Sequence, residues 1–122
     1  MAEHTFCWNE LMTGDVRRAG EFYSKLFGWT TQTMEMGGGP PYTLFKIGDQ
    51  QVAGMMTTPQ PGAPPAWLAY VAVESADASV ARARELGAQM LHPPTDIPGI
   101  GRFSVLQDPT GAVFAVFQPA RA

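Results

Sequence analysis

The chain has 122 residues, of which 45% are apolar and 16% charged, with a net charge of −3. That length and balance fit one folded domain with a real core and exclude a disordered chain. Eight Lys and Arg scattered among eleven acids supply no basic face for a phosphate backbone, so no nucleic-acid partner is expected.

No apolar run approaches the roughly 18 residues that span a bilayer, so no membrane association is expected. The opening Met1-Ala2-Glu3-His4 is neither basic nor long-apolar, and no signal peptide is read there. A single cysteine, Cys7, cannot close an internal disulfide. These features point to a cytoplasmic protein. The low charged fraction is what a buried subunit interface would leave, and a homodimer is expected.

Thr5 to Met12 reads as a first strand. Alternation would set Cys7, Asn9 and Leu11 on one face and Phe6, Trp8 and Glu10 on the other. Thr13 or Asp15 is placed to cap the helix that follows. In it Val16, Ala19, Tyr23, Leu26 and Phe27 recur at helical spacing, with Phe22 beside them. Gly28 stands where a left-handed C-terminal residue is wanted. Trp29 to Met36 is a second strand. The Gly37-Gly38-Gly39-Pro40-Pro41 loop after it is no phosphate cradle, because no Lys-Ser/Thr follows. Tyr42 to Ile47 and Gln51 to Thr57 are two strands joined through Gly48-Asp49.

Thr58 to Ala66 is the one shift in composition, a proline-rich linker unable to sit inside a sheet. After it the pattern repeats. Trp67 to Val73 is a strand. Ser75 caps a helix whose stripe is Ala76, Val80, Ala83 and Leu86 or Gly87, and Gly87 ends it. Gln89 to Leu91, Phe103 to Gln107 and Ala112 to Gln118 are further strands, with His92-Pro93-Pro94 and Pro98 to Gly101 read as loops. Asp108-Pro109-Thr110-Gly111 fits a type I turn, with Asp108 its hydrogen-bonding residue. Strand, helix and three strands thus occur twice, at a period of roughly 60 residues.

The local sequences carry a resemblance. Asn9 to Asp15 followed by Phe22 to Trp29, Val73 to Asp77, Glu85 to Ala88, and the closing Asp108 to Phe114 are together similar to the vicinal oxygen chelate superfamily. That group includes glyoxalase I, bleomycin-resistance proteins and extradiol dioxygenases. The resemblance implies an α+β fold of two βαβββ modules, whose curled, antiparallel-rich mixed sheets surround a cleft. The whole chain, 1–122, would be one such domain, with module 1 at about 4–57, a linker at 58–66 and module 2 at about 67–119.

In the superfamily's enzymes four cleft-facing residues hold a divalent metal that acts as a Lewis acid. Carried over singly, those positions fall on Asn9, Gly54, Leu68 (or its neighbour Trp67) and Ala115. None is an imidazole, thiolate or carboxylate, the donors such metals need. The resemblance then implies a cleft with no metal and no cofactor, binding a small apolar or aromatic molecule. The expected lining is Cys7, Asn9, Gly54, Met56, Trp67, Leu68, Tyr70, Ala115 and Phe117, with Leu11 sharing the face of Cys7 and Asn9. Gly54 and Ala115 would leave room for the ligand. A metal-dependent lyase or dioxygenase with displaced ligands, and a protein-interaction domain with a vestigial cleft, are the alternatives.

Other residues are read plainly. His4 and His92 are taken as solvated loop histidines, and Cys7 as a small core residue. Glu10 is expected as a surface acid or a buried partner of the helix; a cleft acid, brought round by a bulge, is the third possibility. Met34, Met36, Met55 and Met56 are mostly core, the last two beside the Gly54 position.

Overall fold

The computed structural model describes residues 3–35, 41–58 and 62–120. In chain order these form β1 (Phe6–Thr13), α1 (Val16–Phe27), β2 (Thr30–Met34), β3 (Tyr42–Ile47), β4 (Gln50–Thr57), β5 (Ala66–Ala72), α2 (Ala76–Glu85), β6 (Gln89–Ile97), β7 (Gly101–Gln107) and β8 (Val113–Pro119). This is the expected βαβββ order, twice. Met36 to Pro40 and Pro59 to Pro61, read above as strand end, loop and linker, lie outside the described residues. The chain divides into two compact units, one of residues 8–68 and one of residues 1–7 with 69–122.

In the first unit the strand order is β2-β3-β4-β1. β2, β3 and β4 pair antiparallel, and β4 runs parallel to β1. The parallel step is possible because α1 lies in the connection that leaves β1. Asp15 caps α1: its Oδ1 accepts from Arg18 N at 3.0 Å. Thr13 serves the cap rather than forming it, accepting from Asp15 N at 3.2 Å. Gly28 ends the helix at φ 76°, its N–H donating to Ser24 O at 2.8 Å. The helix lays Val16, Ala19 and Tyr23 on Leu11, Phe45, Ala53 and Met55. Phe22, Leu26 and Phe27 do not join that core; they stay 56–57% exposed. Gly20 is buried where the helix meets Met55: a Cβ there would lie 3.6 Å from Met55 Cε, an ordinary contact distance.

The second unit has the order β5-β8-β7-β6. β5 and β8 are parallel; the β6-β7 and β7-β8 pairs are antiparallel. Ser75 caps α2 by accepting from Ala78 N at 3.1 Å. Ala76 N donates to Gln118 Oε1 at 2.9 Å, which ties the helix start to β8. Val73, Ala76, Val80, Leu106 and Val116 form the core under this helix. The Asp108 turn is as read: Gly111 N donates to Asp108 O at 3.0 Å.

One loop of the sequence reading is a strand. β6 runs from Gln89 through His92, Pro93 and Pro94 to Ile97. It is the outermost strand of its set, and its register with β7 slips between Met90 and His92 and again between His92 and Thr95. Proline has no N–H to give a ladder, but an outermost strand with bulges asks for none at that position.

Candidate functional site

In each unit one face of the strands is covered by its helix, and the opposite face carries a second set of side chains. In the first unit, Leu11 and Met55 are register partners, as are Glu10 and Gly54. Leu11 and Met55 both turn to α1. Alternation therefore places Trp8, Glu10 and Met12 on the face of Gly54 and Met56. Leu44, also a register partner of Gly54, shares that face, and so does Tyr42, two residues away along β3.

This corrects the face assigned to β1. Cys7 and Asn9 alternate with Leu11, not with Gly54 and Met56. Asn9 is exposed and Cys7 half-buried, and burial raises the Cys7 thiol pKa, which keeps it protonated. Glu10 is neither a surface acid nor a helix partner; it is 5% exposed, on the face away from α1. No bulge was needed to bring it there. A strand with apolar residues on both faces gives no sign of which set goes inward, and an offset of one residue exchanges them.

Glu10 is part of a chain of polar groups. Trp8 Nε1 donates to the Tyr42 hydroxyl at 2.9 Å, and that hydroxyl is hydrogen-bonded to Glu10. The Tyr42 pKa is raised, first by burial of the phenol and then by the Glu10 charge and hydrogen bond, while the bond from Trp8 opposes them. The phenol is thus held as O–H, donating to Glu10. Its ring lies over Gly54, where a Cβ would overlap the Tyr42 hydroxyl and come 2.8 Å from Cε2. The space expected over Gly54 for a ligand is filled by Tyr42. That side chain went unnoticed in the sequence because the loop before it masks the register of β3.

In the second unit Tyr70 is opposite Ala115, and Ala72 opposite Phe117. Phe103 and Val105 face Phe117 and Ala115 across β7-β8. Tyr70, Ala115 and Phe117 therefore share one face, turned away from α2. Ala115 is 0% exposed and Tyr70 6%, so the room expected at Ala115 is closed. Leu68, the last residue of the first unit, is also buried. Trp67 likewise belongs to the first unit: its Nε1 donates to the Tyr23 hydroxyl at 3.1 Å, ring edge against ring face with centroids 5.4 Å apart. Trp67 is thereby engaged with α1. A separate open groove of about 740 Å³ lies on the α2 side of this unit, floored by Leu106, Phe114 and Val116. It is away from the Tyr70 face and shares no residue with the expected lining.

His4 is exposed, as expected, at φ 62°. His92 is a half-buried strand residue with its ring stacked on Phe103. Asp108 Oδ1 accepts from Thr110 N, Thr110 Oγ1 and Ala112 N, so its role is the turn's.

The residues do not fit a divalent metal of the kind the superfamily's enzymes hold. The side chains of Gly54, Leu68 and Ala115 have no donor atom, Asn9 is on the other face of β1, and the carboxyl on the face of Gly54 is that of Glu10. Among the described residues no three His, Cys, Asp or Glu side chains come together as a donor set. Nor does any helix among them have the length and apolarity to cross a membrane.

Two βαβββ modules, each with a helix on one face of a mixed sheet, define the class of fold. The sequence profile of the Glyoxalase/Bleomycin resistance protein/Dioxygenase superfamily matches residues 3–116, and the chain belongs to that superfamily. It is 46% identical over 116 residues to CFP32 of Mycobacterium tuberculosis, which carries a glyoxylase name; the match covers 95% of this chain and 44% of CFP32. It is 34% identical over 125 residues to the anthracycline biosynthesis protein DnrV of Streptomyces peucetius, covering 91% of this chain and 46% of DnrV. The chain thus spans under half the length of these relatives. Among solved structures, methylmalonyl-CoA epimerase from Streptomyces coelicolor superposes with a TM-score of 0.69 at 15% identity, covering 98% of this chain and 100% of that one. The Mycobacterium tuberculosis epimerase gives 0.65 at 16% identity, covering 95% and 88%. At such identities the likeness is one of fold.

Proposed function

We propose that this chain binds a small, largely apolar or aromatic organic molecule directly, without a metal, on the strand faces turned away from the helices. One observation carries the reading: the Tyr42 phenol lies over Gly54, held between the Trp8 N–H and Glu10. Directed hydrogen-bonding groups stand on an apolar wall where the superfamily's enzymes would have a metal ligand. Apolar walls with a few polar groups that fix orientation are the make-up of an organic-ligand site. The name of DnrV supports an aromatic ligand. The same reading has the protein acting as a cytoplasmic homodimer. Glu10 favours a second reading, in which its carboxyl moves a proton on the bound molecule; exchange of ligand hydrogen for solvent deuterium, lost in Glu10→Gln, would distinguish it.

The test is elemental analysis of purified protein together with a thermal-shift screen of aromatic compounds, followed by Tyr42→Phe. The expected outcome is zinc, nickel and iron far below one per chain, and a hit whose affinity falls about five- to tenfold in Tyr42→Phe, the worth of one hydrogen bond near 1 kcal/mol. Stoichiometric metal, required for ligand binding or turnover, overturns the reading.

A further inference from the structure

On the face turned away from α2, the second unit carries a row of rings. His92 of β6 stacks on Phe103 of β7, with centroids 5.1 Å apart and planes at 18°. Phe103 stands 6.5 Å from Tyr70 and opposite Phe117 across the β7-β8 pair. His92, Phe103 and Phe117 are each half-buried, so the row is neither sealed core nor free surface.

Both the backbone and the ring of His92 are fixed. Its carbonyl accepts from Ser104 Oγ at 2.6 Å, and register slips on either side set it in a bulged stretch of β6. Its Nδ1 is 3.0 Å from the Pro93 carbonyl oxygen. A carbonyl can only accept, so Nδ1 carries the proton. In the neutral imidazole Nε2 is then the lone-pair nitrogen, an acceptor at the edge of a stacked ring. A metal is a poor reading of that lone pair, since among the described residues no three His, Cys, Asp or Glu side chains form a donor set.

We propose that His92 is a specificity-determining residue, its Nε2 accepting a hydrogen bond from the hydroxyl of a planar phenolic ligand that lies against Phe103 and Phe117. The proposal rests on the reading that the chain binds an organic molecule directly, and it names the class. The flat rings favour a planar aromatic. The acceptor at Nε2 selects a ligand that brings an O–H over one that brings only an ether or carbonyl oxygen, because two lone pairs facing each other leave both groups unbonded.

Two probes with the same rings isolate the hydroxyl: 1-naphthol and 1-methoxynaphthalene, each titrated into nitrogen-15-labelled protein. The expected result is that 1-naphthol binds about five- to tenfold more tightly than the ether. It should also shift the His92 Nε2 resonance, which the ether leaves in place. His92→Phe, which keeps a stacking ring, should retain the affinity for the ether and erase the preference for the naphthol. Should that variant fail to fold, the Nε2 resonance and the affinity ratio in the native chain decide alone. Equal affinities with an unmoved Nε2 overturn the assignment while direct binding stands. If neither compound shifts any resonance up to its solubility limit, the assignment falls, and the thermal-shift screen then judges the binding reading separately.

Discussion

Tyr42 and Gly54 are a matched pair: one side chain occupies the volume that the other lacks. Gly54→Ala should therefore push the phenol off its partners, cost about 1–3 kcal/mol in denaturant unfolding, and leave Trp8 Nε1 and Glu10 to find other partners. In a Tyr42→Ala background the same glycine substitution should cost much less, and the coupling in the double-mutant cycle is the measurement. Additive costs would mean that the two positions do not meet. Asp108 offers a second test at this scale. Its carboxyl pKa is lowered, chiefly by the Thr110 hydroxyl and then by backbone N–H groups. A pKa depressed on folding stabilises the native state above the ordinary aspartate value of 3.8, and the gain is lost as pH falls through the lower folded value. The melting temperature of Asp108→Asn should accordingly fall less than that of the native chain between about pH 5 and pH 2.

Elements obey local signals wherever those signals are chemical. The α1 cap was legible in Thr13-Gly14-Asp15, and Asp15 holds it through Arg18 N. Asp15→Ala should lower stability by about 1 kcal/mol, with Asp15→Asn near neutral, in equilibrium unfolding. A loss in Asp15→Asn equal to that in Asp15→Ala would mean that the carboxylate charge, not the cap geometry, matters. Proline was misleading for β6, since it forbids a central strand but not a bulged outermost one. Helical spacing also overcounted α1: Leu26 and Phe27 fit the stripe but stay exposed, as does Phe22 beside it, while Val16, Ala19 and Tyr23 pack on the strands beneath.

For the whole molecule, the exposed Phe22, Leu26 and Phe27 of α1 add to the low charged fraction as grounds for the proposed homodimer. Contiguous apolar surface of that kind is used for association more often than left wet. Sedimentation equilibrium at micromolar concentration should give about twice the chain mass of 13.2 kDa, and Phe22→Glu with Leu26→Lys should return it to one. A native chain that sediments at a single chain mass removes the proposal.

By itself the sequence determined the class of fold. Caps, turn residues and helix ends are short-range chemistry, and two copies of the same order of elements leave few topologies open. It also determined that Gly54, Leu68 and Ala115 bring no donor atoms to a metal, since that depends on residue type alone. Which face of β1 meets Gly54 was decided only by the tertiary structure. The pairing Glu10↔Gly54 and Leu11↔Met55 is a long-range register that period-2 alternation cannot choose between. The same holds for Tyr42 over Gly54 and for His92 on Phe103: each joins residues on different strands, through packing that neither segment encodes alone.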